Sequence, residues 1–454
     1  MEYPIKKDDQ IVIVIESYTA EGAGVGRYEG LAVFVPQTIC GETVRVHILK
    51  IAARYAVGKC VEILHPSPHR VKPPCPVYRQ CGGCVLQHMD ARAQEALKRR
   101  RIADCFSHIG GFEQLPAPIV HTMEQPLRYR NKASFPVRLQ QGKAEIGLYA
   151  QRSHRIVPVT DCLLQHSDNA KILTCVSMWM QQSHVKAYDE QTGQGSLRHV
   201  LTRRATNGDW LVCLVTTTPL SNAQVLIDLL RTRVPQLKTV VENYNTARTN
   251  VILGRRERVL YGDGTLHEQQ LGLTFCVSAQ SFLQVNPVQT QVLYQRALCF
   301  AHLQGHETVV DAYCGVGTMS LLFAKEVTRV IGIECIAPAI ENAKQNAQDN
   351  GIDNVSFRCG YAEKELPKLI ASGIRVDVLL LDPPRKGCDS AVLQAAVAAQ
   401  IPRIVYVSCN PSTLARDCAY LQSNGYNLEQ LEGVDMFAQT AHVEVVSLLT
   451  RTQH

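Results

Sequence analysis

Residues 403–417 read Arg-Ile-Val-Tyr-Val-Ser-Cys-Asn-Pro-Ser-Thr-Leu-Ala-Arg-Asp, and few folds accept that order of residues. The run Ile404 to Val407 is apolar and rich in β-branched side chains, which predicts a buried strand. Asn410 then suits a helix N-cap, with Pro411 at the first helical position. A strand that turns straight into a helix belongs to an alternating α/β sheet. Cys409 falls at the strand's end, just ahead of the helix N-terminus. Such a thiol is exposed beyond a sheet edge, and the helix dipole favours its thiolate. Cys409 is therefore a candidate covalent nucleophile. The competing reading is a buried structural cysteine, in a chain that carries 17 of them.

The same alternation runs from about residue 270 to the end. Val309-Val310-Asp311 ends a strand, Cys314-Gly-Val-Gly-Thr318 is a turn, and Met319 to Lys325 opens a helix. Val330-Ile-Gly-Ile-Glu334, Val355 to Arg358 and Val376 to Leu381 read as further strands, with a helix over 337–349 stopped by Gly351. A closing strand pair falls near 426–434 and 443–450. This predicts a doubly wound α/β sheet, with ligands off the carboxyl ends of the strands. Gly315 and Gly317 lack the third glycine that close pyrophosphate packing uses. The turn thus favours a nucleoside ligand without phosphates, such as S-adenosylmethionine, whose ribose could meet Glu334. Asp382 opens the loop Asp-Pro-Pro-Arg-Lys-Gly beside that crevice, and Glu444 begins an apolar strand where it could serve as a base.

Upstream the texture differs. Residues 1 to about 66 carry Ile11 to Ile15, Leu31 to Val35, Thr43 to Ile48 and Val57 to Leu64 as short strands around a turn-rich stretch holding Gly22, Gly24 and Gly26. Strands at this spacing predict a small closed barrel. A proline-rich linker leads to Cys75, Cys81 and Cys84, and Cys162 is the obvious fourth thiol. Four thiolates suit zinc or an iron–sulfur cluster, and the spacing alone does not choose. The C-x3-C spacing of radical enzymes is absent. Residues 90–106 predict a helix with a basic stripe able to track phosphates. Residues 127–160 predict strands with Arg128, Arg130, Lys132, Arg138, Arg152 and Arg155 beside Tyr129, Phe135 and Tyr149, a mixture suited to single-stranded RNA. Asn207-Gly208 marks a hairpin in what reads as a mixed central sheet.

With 454 residues, 46% hydrophobic and 19% charged, a packed protein of roughly two or three domains is expected. No apolar run approaches the length of a membrane span, and the N-terminal stretch is unlike a signal peptide. A cytoplasmic location with mostly reduced or metal-bound thiols follows as an expectation. The net charge of +6 permits a polyanionic partner.

Taken together, Cys75/Cys81/Cys84/Cys162, Gln284 in Ser-Phe-Leu-Gln-Val-Asn, Asp311-Ala-Tyr-Cys-Gly-Val-Gly-Thr, Asp382-Pro-Pro-Arg-Lys-Gly, Ser408-Cys-Asn-Pro and His442-Val-Glu444 resemble the bacterial RNA (uracil-5-)-methyltransferase family, in its 23S ribosomal RNA branch. The resemblance covers nearly the whole chain. It implies an N-terminal TRAM barrel (1–66), a central domain (67–269) whose four cysteines ligate a [4Fe–4S] cluster, and a methyltransferase domain (270–454) against which helix 90–106 can pack. It further implies Gln284, Tyr313, Glu334 and Asp382 at the S-adenosylmethionine, Cys409 as nucleophile and Glu444 as base. Thr318 and Tyr361 stand where some members carry Asn. The partner implied is ribosomal RNA and the chain is expected to be a monomer. Alternatives are the same chemistry on transfer RNA, or a non-catalytic RNA-binding iron–sulfur protein.

Overall fold

The computed structural model describes residues 5–113, 115–140 and 143–452; residues 1–4, which open the polar N-terminal stretch, lie outside it. Strands β1 (Gln10–Tyr18), β2 (Gly24–Tyr28), β3 (Leu31–Val35), β4 (Thr43–Ala52) and β5 (Tyr55–His65) close into a barrel in the order β1-β2-β3-β5-β4. Strict alternation on β1 and β4 sends Ile11, Ile13, Ile15, Val44, Val46 and Ile48 inward to a small core. The stretch around Gly24 and Gly26, expected as a turn, is strand β2. Its glycines answer to crowding: a Cβ on Gly26 would lie 2.4 Å from the Val14 carbonyl oxygen, and one on Gly24 would strike Thr38.

Helix α1 (Ala91–His108) and strand β6 (Ile119–His121) come next, yet both join the far end of the chain. β6 pairs in parallel with the edge of the C-terminal sheet, and α1 buries Ile102 and Phe106 beside it. Then β7 (Lys132–Gln140), β8 (Lys143–Tyr149), β9 (Ile156–Pro158), β10 (Leu197–Arg204), β11 (Trp210–Thr216), β12 (Leu237–Tyr244) and β13 (Arg256–Tyr261) form a mixed sheet in the order β13-β12-β11-β10-β7-β8-β9. Helices α2 (Asp168–Gln182) and α3 (Ala223–Arg233) cover one face through Trp179, Leu226 and Leu230. The other face carries Leu201, Leu211 and Cys213 into the core of the C-terminal domain. Cover on both faces explains why β10 and β11 are buried along almost their whole length. The hairpin β14 (Thr265–Gln270) and β15 (Leu273–Ser278), which turns at Leu271 and Gly272, bridges the two regions.

The remaining elements are α4 (Pro287–Phe300), β16 (Thr308–Asp311), α5 (Thr318–Ala324), β17 (Arg329–Glu334), α6 (Ala337–Asp349), β18 (Val355–Cys359), α7 (Ala362–Ala371), β19 (Val378–Leu381), α8 (Ser390–Ala398), β20 (Arg403–Ser408), α9 (Pro411–Gln422), β21 (Tyr426–Val434) and β22 (Glu444–Arg451). The sheet order is β18-β17-β16-β19-β20-β22-β21-β6, parallel except for antiparallel β22. Two apolar cores lie on its opposite faces. Strand order reverses between β16 and β19, which opens a crevice off their carboxyl ends. Among the described residues no helix is long and apolar enough to cross a membrane.

Candidate active site

Four neighbouring strands of the large sheet end, edge to edge, in chemistry. Crossing from β17 to β22 one meets Glu334, Asp311, Asp382, Cys409 and Glu444. Antiparallel β22 starts where its parallel neighbours finish. Ser408 pairs with Val445, so Cys409 and Glu444 are the next step beyond that rung and sit side by side.

Each group is fixed locally. Asn410 accepts from the Ser412 amide at 3.2 Å and Pro411 opens α9, which ends β20 sharply and leaves Cys409 half-buried at the turn. Asp311 is fully buried, its Oδ2 accepting from Ser320 Oγ at 2.6 Å. Asp382 leads the loop to Cys388. That loop is tied to α9 by Asn410 Nδ2, which donates to the Arg385 carbonyl at 3.1 Å, and by Asp417, which accepts from the Cys388 amide. Glu444 is 2% exposed.

A row of carboxyls in a crevice resists ionisation. Burial, with Glu334 adding, pushes Asp311 up to about 6. Burial and then Asp311 push Asp382 up to about 7. Burial and then Asp382 push Glu444 up to about 8, with Arg385 opposing. The Cys409 thiol is raised too, first by burial, then by Glu444 and Asp382. The helix N-terminus was expected to favour the thiolate. Burial, with Glu444 and Asp382 adding, outweighs the opposing pull of Arg385. A row this rich in acid is built for a cationic ligand, and a sulfonium answers that requirement.

The other expected cofactor residues take different postures. Glu334 Oε2 accepts from the Gly315 amide at 3.2 Å and Oε1 from the Ile336 amide at 2.9 Å, which fixes the carboxylate at the glycine turn. Gly317 caps α5 with φ 85°, a left-handed conformation suited to glycine. Tyr313 packs toward Cys388. Gln284 is buried on the loop ahead of α4, its carbonyl accepting from Asn131 at 3.2 Å. It lies on a loop and not at a strand end. Thr318 is engaged with Tyr294 at 3.3 Å, and Tyr361 is exposed beneath Lys364. Sequence reasoning quoted Asp311 and Arg385 only as parts of motifs. An acid ending the strand before a glycine turn was the available signal for Asp311.

Cys75, Cys81, Cys84 and Cys162 line one cavity of about 390 Å3, together with Arg130 and Lys132. Burial and the other three sulfurs push Cys84 up to about 12, and Cys81 and Cys162 are raised likewise. Among the described residues no group of three or more His, Cys, Asp or Glu side chains is arranged to hold a single metal ion. The four thiols are thus brought to one cavity wall, with the side chains of Arg130 and Lys132 beside them.

On α1 the basic residues divide: Arg92, Arg99 and Arg100 are exposed, while Lys98 and Arg101 are engaged within the protein. Lys98 is fully buried against Asp435, and Arg101 Nη1 donates to the Ala441 carbonyl at 2.6 Å. Arg138 is buried and paired with Glu190, and Arg128 with Asp161. Arg152 and Arg155 remain exposed.

Residues 129–452 match the family described as tRNA (Uracil-5-)-methyltransferase, and residues 10–61 match the TRAM domain. An uncharacterised RNA methyltransferase of Halalkalibacterium halodurans is 42% identical over 448 residues, covering 98% of each chain. One of Caldanaerobacter subterraneus is 42% identical over 450 residues, 98% of this chain and 99% of the other. Among solved structures, Pyrococcus abyssi tRNA (uracil-54, C5)-methyltransferase in complex with S-adenosyl-L-homocysteine shares the fold, with a TM-score of 0.78 at 23% identity over 96% of this chain and 98% of that one. The barrel and the switch-point sheet thus have counterparts in known proteins, and the chain belongs to the S-adenosylmethionine-dependent RNA (uracil-5-)-methyltransferase family.

Proposed function

We propose that this enzyme methylates C5 of a uridine in 23S ribosomal RNA through a transient bond between Cys409 and C6 of the base. The observation that carries the mechanism is the juxtaposition of Cys409 and Glu444 at one sheet edge, with Asp382 beside them. C5 of uracil is a weak nucleophile. Cys409, as thiolate, adds to C6 and pushes the ring electrons into an enolate, which makes C5 carbanion-like. When bound, S-adenosylmethionine supplies an electrophilic methyl group on its sulfonium. C5 takes that methyl, leaving S-adenosylhomocysteine. Glu444 removes the remaining C5 proton, the C5–C6 double bond re-forms and Cys409 departs as thiolate. Arg385, whose charge favours the ionised forms of both Cys409 and Glu444, supports the two steps. The target base must leave its stack to reach this edge, at a cost of a few kcal/mol.

Cys75, Cys81, Cys84 and Cys162 would hold a [4Fe–4S] cluster, with Arg130 and Lys132 balancing its charge. The methyl-transfer chemistry calls for no redox step, so the centre's role is to shape the RNA-binding region.

A second reading, the same chemistry on transfer RNA, is favoured by one observation. The Pyrococcus abyssi tRNA (uracil-54, C5)-methyltransferase shares this fold over 96% of the chain. An N-terminal barrel therefore does not by itself exclude a tRNA substrate. The test is labelled methyl transfer to separately purified ribosomal and transfer RNA from a strain lacking the gene, followed by mapping of 5-methyluridine. Label confined to transfer RNA would overturn the ribosomal assignment. Cys409→Ala is expected to abolish both transfer and the denaturant-stable protein–RNA adduct; full activity in that variant would overturn the mechanism.

A further inference from the structure

The loop 435–443 between β21 and β22 delivers Glu444 to the sheet edge, and hydrogen bonds from outside it hold six of its nine residues. The Asp435 amide donates to the His121 carbonyl at 2.9 Å. Asn286 Nδ2 donates to the Met436 carbonyl at 3.0 Å, and Tyr129 Oη to that of Ala438 at 3.1 Å. The Gln439 carbonyl accepts from the amides of Val85 and Leu86, directly after Cys84. Gln439 itself has φ 67°, an unusual posture for a residue with a Cβ, sustained only where the surroundings fix it.

Helix α1 supplies the rest. Gln94 grips Gln439 twice, with Nε2 donating to its Oε1 at 3.1 Å and Oε1 accepting from its amide at 3.3 Å. One turn on, Lys98 is fully buried and ion-paired with Asp435, and it also donates to the Phe437 carbonyl at 3.4 Å. Arg101 holds the Ala441 carbonyl. These three residues recur at helical spacing and face one loop. A buried ion pair is a poor way to gain stability, because desolvation offsets the attraction, and its best-attested use is to fix register.

We infer that α1 is the positioning element for Glu444: Gln94, Lys98 and Arg101 set loop 435–443 so that the carboxyl faces the base bound to Cys409. The inference rests on the reading of Glu444 as the C5 base. Because Val85 and Leu86 join the same loop, the thiol-lined cavity and the base share one support.

The test uses full-length protein with bulk RNA from a strain lacking the gene and labelled S-adenosylmethionine. The variants are K98M/D435N, which removes both buried charges, and R101M, which changes a half-buried side chain, with E444Q as reference. Denaturant-stable adduct is followed through formation and decay in a single turnover, beside the thermal midpoint and cofactor affinity. For K98M/D435N and R101M, adduct formation is expected within about twofold of the unaltered protein, while decay slows by about tenfold or more. The pH at which decay is half-maximal should also move, which lost stability alone would not cause. Folded variants that clear adduct at the ordinary rate would overturn the inference, as would a parallel fall of formation and decay in R101M. If K98M/D435N fails to fold, R101M decides alone. If E444Q clears adduct at the ordinary rate, the assignment of the base fails. If E444Q traps adduct while the α1 variants do not, only the positioning role fails.

Discussion

Glu444 carries the plainest trade between stability and chemistry. Its folded-state value of about 8 lies well above the ordinary carboxyl value of 4.5. The folded protein therefore keeps a proton that the unfolded chain releases between those values. Stability must fall as pH rises through that window. Replacing Glu444 with Gln, which never ionises, removes the penalty. The variant should match the unaltered protein in thermal unfolding near about pH 5 and exceed it near about pH 8.5, by something on the order of 2 kcal/mol. Equal stability at both values would mean that the carboxyl does not sit in this acidic row. Catalysis should show the opposite sign, since a base works only when ionised. Adduct decay in the unaltered enzyme should climb with pH and fail in the Gln variant, which accumulates the adduct instead. Quenched time courses across the same range check both statements.

At the scale of elements, the strand–turn–helix units were readable because their signals are local. Asn410-Pro411 caps α9, Gly351 stops α6 with φ 65°, and Gly208 turns the β10–β11 hairpin with φ 98°. Cys409, Asp382 and Glu444 could be placed at element ends for the same reason. Strand β2 was not readable. Its glycines are dictated by the approach of β1 across the barrel, a contact between distant residues that leaves only a turn-like composition. The inward posture of Lys98 on α1 was not readable for a related reason: it meets Asp435, 337 positions later, so its partner is invisible in a local window. Asp311 and Asp382 share a row only because β16 and β19 are neighbours in space. Another long-range contact gives a prediction. Tyr406, fully buried on β20, donates to Asp417 Oδ2 at 2.7 Å, and the same oxygen accepts from the Cys388 amide at 2.9 Å. This clamps the end of the 382–388 loop to α9. Tyr406→Phe keeps the ring but leaves a buried carboxylate one donor short. It should cost about 1–3 kcal/mol in urea unfolding and weaken cofactor binding measured by titration. An unchanged midpoint would show that the clamp is dispensable.

Over the whole molecule, the active edge lies in the C-terminal domain and the barrel approaches it: a Cβ on Gly22, in the turn before β2, would lie 3.1 Å from that of Ala441, on the loop that leads to Glu444. Between barrel and central domain runs a cleft of about 630 Å3, lined by Phe34, Tyr55, Lys50, Arg79 and Arg152 and abutting Cys81 and Cys84. Phe34 and Tyr55 stack with centroids 4.8 Å apart, and both rings are partly open to solvent. Among the described residues, Glu21 is the one acid on the cleft wall. Aromatic faces beside cations suit an unstacked stretch of RNA, because stacking is tolerant of sequence and the cations follow the backbone. Two variants separate those contributions. Phe34→Ala with Tyr55→Ala should weaken RNA binding by about 1–3 kcal/mol for each lost stacking contact, at all salt concentrations. Arg79→Ala with Arg152→Ala should instead flatten the plot of log affinity against log salt, by about 0.7 for each cation removed from a single-stranded contact. Neither pair touches the carboxyl row, so cofactor affinity should hold. Fluorescence anisotropy with ribosomal RNA fragments over a salt series makes the comparison. Unchanged affinity and slope in both pairs would mean that the RNA reaches the sheet edge by another face, and the barrel would then need a different partner.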